Sequence, residues 1–307
     1  NVPCIFSIFM AMTSNSWLLL WFAMELNTLS IMPLMNKNKS KNSIDCSMKY
    51  FLVQMFTSNI LMFMFILIMT MNYVNLWTLY LVLMMKLGLS PFHFWFPDLN
   101  KKLIWSISMI LLTLQKLIPF WVMSFFIIFN MKMKCLIFLN LIVSSLGMWN
   151  ENNIQKILAF SSIGHSSWMM SSMTFSNLWW MLYWWMYTFT LLPLWYYLTK
   201  TNLLYINHFM STNSNLWLKK LLFMSLLSLG GLPPFLGFIP KWFILMMLTN
   251  HMILKISMIS LSSFTLYIYV KTWSLSLMSS KMKMWKICLP YNMEVMILLS
   301  TVLWMMI

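Results

Sequence analysis

Charged residues are scarce in this 307-residue sequence, and arginine is absent. Charged side chains make up 8% of the chain, hydrophobic side chains make up 61%, and the mean hydropathy is +0.77. A soluble domain of this length could not bury so much apolar surface. The composition therefore excludes the soluble classes and predicts a single all-helical transmembrane domain over residues 1–307.

Residue types that hold metals and cofactors are also few and scattered. The chain has five acidic residues and four histidines, and its cysteines form no CxxC pair: Cys4, Cys46, Cys135 and Cys288. No spacing fits a zinc, haem or iron–sulfur site, and neither GxxxxGKS/T nor GxGxxG occurs. We therefore predict no metal, no cofactor and no bond chemistry by this chain alone, with the cysteines as packing residues. We also expect no cleavable signal peptide, since the first residues lack a basic region and a cleavage site.

The basic residues are 20 lysines, which give a net charge of +15. They occur singly or in short clusters between apolar runs, which is typical of membrane loops rather than of nucleic-acid binding.

The chain has 36 methionines and 18 tryptophans but only three alanines, Ala11, Ala23 and Ala159. An AT-rich genome whose code reads ATA as methionine and TGA as tryptophan produces this bias. Both features describe animal mitochondrial DNA, so we infer an organelle-encoded protein.

Apolar runs long enough to cross a bilayer recur along the whole chain. About 20 apolar residues span the hydrocarbon core. We predict about eleven helices, over residues 2–13, 16–36, 46–71, 76–97, 103–129, 135–149, 153–173, 177–199, 220–249, 254–278 and 288–307. The first is too short to span the core at about 1.5 Å per residue. Gly88 and Pro91 interrupt the fourth predicted helix, and Gly230–Pro234 interrupt the ninth. Broken helices of this kind form ion sites in transporters.

The loop lysines indicate how these helices are oriented. Thirteen lysines fall in loops after even-numbered helices and three in loops after odd-numbered ones, the asymmetry that the positive-inside rule produces. We therefore predict a protein of the mitochondrial inner membrane with its N-terminus in the matrix and its C-terminus in the intermembrane space. The other four lysines lie inside the predicted helices: Lys86, Lys116, Lys241 and Lys271.

Three of these lysines, Lys86, Lys116 and Lys241, lie deep in apolar runs, as does Glu25. A charge at that depth costs roughly 3 kcal/mol on insertion scales, and membrane proteins keep such groups for an ion path or a buried partner. A buried lysine can take up and release a proton as its partner moves, which arginine cannot because it stays protonated. The four residues predict a proton relay, and a fixed Glu–Lys pair that only holds helices together is the alternative. Lys271, nearer a helix end, is expected to reach the matrix surface.

Histidines add two weaker candidates, because histidine exchanges protons near neutral pH. His165 lies near mid-membrane within the serine-rich run SSIGHSS, which could hold water, and His93 follows the first helix break. A packing role remains open for both. His208 and His251 fall in predicted loops and are expected to be solvated.

Six segments carry a family resemblance: AMELN, KYFLVQ, MKLGLSPFHFWFPD, LTLQKLIP, QKILAFSSIGHSSWMM and LSLGGLPPFLGFIPKW. From about Ser14 to Trp242 the sequence closely resembles the chain 2 family of NADH:ubiquinone oxidoreductase from animal mitochondria, the antiporter-like subunits of respiratory complex I. The resemblance implies eleven helices, with two inverted five-helix repeats over about residues 16–278, each containing a broken helix. It implies proton translocation coupled to electron transfer from NADH to ubiquinone. The implied relay is Glu25, Lys86, Lys116 and Lys241, with further polar positions at His93, Lys156 and His165.

The resemblance also implies the surroundings of the chain. NADH, FMN, iron–sulfur clusters and ubiquinone would bind other subunits. The partners would be other membrane-arm subunits, including sister antiporter-like subunits, and phospholipids. The sequence departs from the family at its short first helix, at the compressed stretch 72–75 and at Asp98, where the family usually has glutamate.

Three other interpretations stay open. A stand-alone cation/proton antiporter could use the same fold, although the sequence has no Asp-rich sodium site. A structural scaffold could use the buried charges only to hold helices together. A sister antiporter-like subunit is the third, but eleven rather than fourteen helices and the segments AMELN and FIPKW favour chain 2.

Overall fold

Helices make up nearly all the regular structure in the described part of the chain. The computed structural model describes residues 2–38, 40–71, 76–126, 130–206, 216–249 and 251–277. The α-helices are α1 Val2–Thr13, α2 Trp17–Met35, α3 Lys41–Met71, α4 Leu76–Leu87, α5 Trp95–Asn100, α6 Trp105–Leu112, α7 Leu117–Phe125, α8 Met131–Trp149, α9 Ile154–Met173, α10 Asn177–Thr201, α11 Leu216–Gly230, α12 Phe238–Met247 and α13 Met252–Leu277. Two 3₁₀ turns, Asn36–Asn38 and Leu114–Lys116, and an isolated bridge between Asn153 and Tyr205 accompany them. The prediction of a mostly helical membrane protein is confirmed.

Five described segments are long and apolar enough to cross a membrane: Trp17–Met35, Lys41–Thr70, Trp105–Phe125, Met131–Trp149 and Met252–Thr272. Three shorter apolar helices are Val2–Thr13, Leu76–Leu87 and Phe238–Met247. The count of eleven spanning helices stays a prediction. The predicted helix over 288–307, the stretch 72–75 and His208 lie outside the described residues.

Two helices begin earlier than their apolar runs predicted. α3 begins at Lys41 because Ser40 caps it: its hydroxyl oxygen accepts a hydrogen bond from the backbone N–H of Ser43 at 3.2 Å. α8 begins at Met131, so Lys132 and Lys134 lie in its first turn. Lys41, Lys49, Lys132 and Lys134 were counted among the loop lysines, and that assignment was wrong, since polar residues can extend a helix beyond its apolar run.

Backbone contacts divide the chain into two compact units, unit 1 over Asn1–Met133 and unit 2 over Lys134–Ile307. In unit 1, α2 packs against α1 and α3, and α3 packs against α4. In unit 2, α10 packs against α9 and α11, and α11 packs against α13. Each unit contains one of the two breaks that glycine and proline predicted.

The first predicted break is confirmed between α4 and α5. α4 ends in a Schellman motif, in which the N–H of Gly88 binds the carbonyl of Met85 at 3.2 Å and the N–H of Leu89 binds that of Met84 at 2.9 Å. Gly88 has a φ of 67°, a conformation that glycine adopts without a Cβ clash. The motif leaves the next backbone carbonyl, that of Lys86, without a helical donor.

The second predicted break repeats this arrangement at the end of α11. The N–H of Gly231 binds the carbonyl of Ser228 at 3.1 Å, and the N–H of Leu232 binds that of Leu227 at 3.4 Å. Gly231 has a φ of 83°. The carbonyls of Leu229 and Gly230 are therefore left without helical donors.

A third interruption corrects the prediction of a continuous helix over residues 103–129. α6 ends at Leu112, α7 begins at Leu117, and a 3₁₀ turn lies between them. The backbone of Thr113 departs from the usual helical geometry, with φ −116° and ψ −75°. Its hydroxyl donates a hydrogen bond to the carbonyl of Met109 at 2.7 Å. Such a contact with the preceding turn often bends a helix. Pro119 has no N–H to offer the preceding turn. The two local effects together interrupt a run that hydropathy alone reads as one helix.

Candidate functional site

Lys86 lies in the last turn of α4, at the first break. Its side chain is 6% exposed, and its Nζ has no hydrogen-bond partner among the described protein atoms. The Schellman motif leaves the backbone carbonyl of Lys86 without a donor from its own helix. That carbonyl accepts a hydrogen bond from Nε2 of Gln54 at 3.0 Å. The negative end of the helix dipole lies beside Lys86 and stabilises a positive charge there.

Glu25 lies in the middle of α2 and is 7% exposed. Its Oε1 has no hydrogen-bond partner among the described protein atoms. The charge of Glu25 acts on Lys86, but no nitrogen–oxygen contact within 4.0 Å joins these two described side chains. The two described side chains are thus buried without a direct hydrogen bond between Glu25 Oε1 and Lys86 Nζ, and the choice between a relay and a fixed pair stays a prediction.

Lys116 ends the 3₁₀ turn between α6 and α7 and is 2% exposed. The same residue is the N-cap of α7, so it lies between the end of α6 and the start of α7. Its Nζ lies 5.5 Å from the ring centre of Phe96, which is within the range of a cation–π contact. Since Phe96 belongs to α5, the segment after the first break contacts the second lysine of unit 1.

A cavity inside unit 1 is lined by both Lys86 and Lys116. The centre of a water molecule can move through about 20 Å³ of it, which is room for one or two waters. Gln115 lines the same cavity and forms a two-way amide pair with Asn27, with contacts of 2.8 and 3.3 Å, and accepts a hydrogen bond from Tyr50 at 2.9 Å. The two lysines therefore line one water-sized space, together with amide, hydroxyl and apolar side chains.

Lys241 lies in α12 and is 2% exposed. Its Nζ donates hydrogen bonds to the carbonyls of Leu229 at 3.1 Å and Gly230 at 2.9 Å. These are the two carbonyls that the second break leaves without helical donors. The ring of Trp168 lies 5.9 Å from the same nitrogen. The end of α11 is thus a cation site in which two carbonyls and the helix dipole take the place of a carboxylate.

His165 shares a second cavity with Lys241, inside unit 2 and again with about 20 Å³ open to the centre of a water molecule. Its Nδ1 lies 2.8 Å from the hydroxyl of Tyr183, and its ring centre lies 4.7 Å from that of Tyr187. The serines around it donate to carbonyls one turn earlier in their own helix. Their oxygens keep lone pairs, so Ser161, which lines the cavity, can accept a hydrogen bond from water.

His93 and Lys156 are not among the residues that line either cavity. His93 is half-buried in the turn between α4 and α5, with its ring centre 4.1 Å from that of Phe94. Lys156 lies in the first turn of α9 and forms an ion pair with Glu151 at 2.8 Å. A place for these two residues in a relay stays a prediction.

Other predicted polar residues contact neighbours instead of forming a further site. His251 is half-buried, and its Nδ1 lies 3.3 Å from Nζ of Lys134. Nζ of Lys271 lies 5.0 Å from the ring centre of Trp149. Within the described ranges, no three histidine, cysteine, aspartate or glutamate side chains come together as metal ligands.

Sequence reasoning did not single out Tyr50, Gln54 or Asn27 as functional. The first two contact the segments that carry Lys86 and Lys116. The available signal was a pair of polar residues four positions apart in the apolar segment KYFLVQ, since that spacing puts both on one face of a helix.

Comparison with known proteins identifies the fold. Residues 14–267 match the family model described as "NADH:quinone oxidoreductase/Mrp antiporter, TM". The fold is similar to that of a chain in respiratory complex I from Thermus thermophilus, with a TM-score of 0.80 at 18% identity over 89% of this chain and 69% of that chain. A chain of the Mrp complex from Dietzia sp. gives a TM-score of 0.77 at 17% identity, over 89% of this chain but 59% of that chain. At such identities the solved structures show a shared antiporter-like fold.

Sequence similarity gives the finer assignment. NADH-ubiquinone oxidoreductase chain 2 from Anopheles gambiae is 38% identical over 306 residues, which cover 95% of this chain and 89% of the relative. The family match begins at residue 14, as the motif resemblance does, and extends beyond Trp242 to residue 267. The chain therefore belongs to the NADH-ubiquinone oxidoreductase chain 2 family.

Proposed function

We propose that this chain is a membrane-arm subunit of a proton-translocating NADH:ubiquinone oxidoreductase, respiratory complex I, in the mitochondrial inner membrane. Membership of the chain 2 family supports the assembly and the overall reaction, because the relatives are named as chains of that enzyme. One observation supports proton transfer through this chain: three lysines lie buried at helix interruptions, beside cavities of water size. Membrane proteins keep such costly groups where the charge has a task.

In unit 1, the proposed relay consists of Glu25, Lys86 and Lys116. When Lys86 is an ammonium and Lys116 a neutral amine, a cavity water can accept a proton from the first and give one to the second. Only N–H and O–H bonds form and break, and the net result is the transfer of one proton. The negative charge of Glu25 holds the proton on Lys86, so weakening that influence releases it toward Lys116.

In unit 2, the proposed relay consists of Lys241 and His165. The carbonyls of Leu229 and Gly230 favour the ammonium form of Lys241. His165 is the group that exchanges a proton with it through cavity water, because imidazole both accepts and donates near neutral pH. The hydroxyl of Tyr183 lies 2.8 Å from Nδ1 and holds the orientation of the imidazole ring beside the cavity.

The surroundings of the chain form part of the proposal. NADH, FMN, iron–sulfur clusters and ubiquinone bind other subunits, and this chain contributes charge movement rather than a redox centre. Its partners are other membrane-arm subunits, including sister antiporter-like subunits, together with phospholipids. Eleven spanning helices, two five-helix repeats with one broken helix each, and an N-terminus in the matrix complete the arrangement. The predicted break found in each unit and the uneven distribution of lysines between the predicted loops support it.

The proposed relay is tested by comparing Lys86→Met with Lys271→Met in the assembled complex. Both replace a lysine by an apolar side chain of similar length, but Lys271 is exposed on α13. We expect Lys86→Met to leave assembly intact and to lower NADH-driven proton translocation per complex by about 10²-fold, the lower end of what a positioned acid–base group contributes. Lys271→Met should translocate normally. Reduced assembly with normal translocation per complex would instead support the structural scaffold.

The stand-alone antiporter is separated from the subunit by two measurements on the unmodified chain. Native electrophoresis of gently solubilised membranes should find the chain only in the large band that oxidises NADH. Sodium-dependent proton flux from the purified chain in liposomes would support the antiporter.

A further inference from the structure

One face of α3 carries two buried polar side chains that the proposed relay leaves without a role. Tyr50 and Gln54 are 1% and 4% exposed and lie four residues apart, so they share a face of the helix. Both belong to the segment KYFLVQ, which is part of the family resemblance. Both line the cavity that Lys86 and Lys116 share.

Gln54 holds the end of α4 in place. Its Nε2 donates to the backbone carbonyl of Lys86 at 3.0 Å. That carbonyl is the one that the Schellman motif leaves unsatisfied, and a buried carbonyl requires a donor. The contact ties the lysine-bearing end of α4 to α3, although the two residues are 32 positions apart.

Tyr50 holds the 3₁₀ turn that carries Lys116. Its hydroxyl donates to Oε1 of Gln115, the residue before Lys116, at 2.9 Å. Asn27 of α2 completes the contact by donating to the same oxygen at 3.3 Å and accepting from Nε2 of Gln115 at 2.8 Å. An interrupted helix lacks some of the backbone hydrogen bonds that hold a turn in place, so these side-chain contacts determine where the turn lies.

We propose that Tyr50 and Gln54 are positioning residues that fix Lys86 and Lys116 about their shared cavity. The two contacts lie one helical turn apart on a single element, so α3 sets the separation of both lysine-bearing segments. Proton transfer requires the donor and acceptor to lie within hydrogen-bond reach or one water apart, and small misplacements of reacting groups lower rates strongly. The inference rests on the proposed function, since positioning matters only if the two lysines exchange protons.

The test uses Tyr50→Phe and Gln54→Met, which remove one donor each and keep the side-chain size. The matched control is Tyr80→Phe, because Tyr80 is buried on α4, donates to the carbonyl of Phe126 and is not among the residues that line the cavity. We expect each test variant to lower NADH-driven proton translocation per assembled complex about fivefold, the factor that the loss of one hydrogen bond produces. Tyr80→Phe should lower assembly at most.

The pH profile of translocation distinguishes positioning from packing. A fivefold change in the relative stability of the two protonation states moves the midpoint of the profile by about 0.7 pH unit, since one unit corresponds to a tenfold change. We expect this displacement in Tyr50→Phe and Gln54→Met. A purely structural role would change the amount of complex and leave the midpoint where it is, as in Tyr80→Phe.

A double variant gives the decisive comparison. Gln115→Leu removes the acceptor of the Tyr50 hydroxyl, so adding Tyr50→Phe to it should have no further effect. Additive effects, or a Tyr50→Phe variant that behaves like Tyr80→Phe, would overturn the positioning role. Normal translocation in Lys86→Met would overturn the proposed relay itself. A third outcome separates the two proposals. If Lys86→Met abolishes translocation while Tyr50→Phe and Gln54→Met translocate normally, the relay stands and only the positioning role is removed.

Discussion

Gly231 allows Lys241 to be disturbed without removal of its charge. A Cβ on this glycine would lie 3.0 Å from both Cδ and Nζ of Lys241, whereas ordinary van der Waals contact begins at 3.4 Å. In Gly231→Ala the end of the Lys241 side chain must therefore shift by a few tenths of an ångström, which weakens its hydrogen bonds to the carbonyls of Leu229 and Gly230. The variant tests whether those carbonyls, and not merely the presence of a lysine, support proton translocation.

The expected magnitude has two parts. An L-residue at the φ of 83° found at Gly231 costs roughly 1–2 kcal/mol, which lowers the stability of unit 2. Losing one hydrogen bond from the Lys241 ammonium costs about 1.5–3 kcal/mol. That loss changes the balance between charged and neutral lysine at least tenfold, since about 1.4 kcal/mol corresponds to a factor of ten. We therefore expect proton translocation per assembled complex to fall about tenfold.

The assay measures NADH-driven proton translocation by the complex in liposomes, normalised to the amount of assembled complex. The matched control is Asn202→Ala, because Asn202 caps α10 at a φ of 50° and is not among the residues around Lys241. This control imposes backbone strain alone and should translocate normally. Normal translocation in Gly231→Ala, or an equal loss in Asn202→Ala, would refute the role assigned to the carbonyls.

Two further predictions concern the carboxylates. Glu25→Gln removes a charge that makes no contact within 4.0 Å with Lys86. We therefore expect normal assembly on native gels and a severalfold fall in proton translocation. A fall in assembly alone would contradict this expectation. Lys156→Met breaks the ion pair with Glu151, whose side chains are 18% and 27% exposed, and such pairs contribute about 0–1 kcal/mol. We expect a small change in thermal stability and near-normal translocation, and a loss as large as that of Lys86→Met would place Lys156 in the relay.

The three buried lysines share a local arrangement that suits reversible protonation. Lys86 lies in the last turn of α4, Lys116 lies in the turn after α6, and Lys241 binds the end of α11. Each therefore lies at an interruption of a helix, and at Lys241 the dipole and two freed carbonyls of α11 stabilise the cation. Nζ of Lys86 has no direct ion pair that proton release would break, which removes one barrier to proton exchange at that lysine.

The sequence by itself determined the class of protein, the position of the charges within apolar runs and two of the breaks. These depend on local properties: hydropathy places Lys86, Lys116 and Lys241 inside apolar runs, and glycine followed by proline ends a helix wherever it occurs. The family followed from the same segments, because the motifs surround those breaks. The interruption at Lys116 was missed, since Thr113 and Pro119 act together and neither is decisive alone.

The partners of the charged groups were decided only by the tertiary structure. Gln54 reaches Lys86 across 32 positions and Tyr50 reaches Gln115 across 65, and neither contact is visible in the sequence pattern. Helical periodicity shows which residues share a face of α3. It does not show which neighbour that face meets, because a membrane helix is apolar nearly all round. Side-chain contacts inside the membrane depend on how the helices pack, and that information is spread over the whole chain.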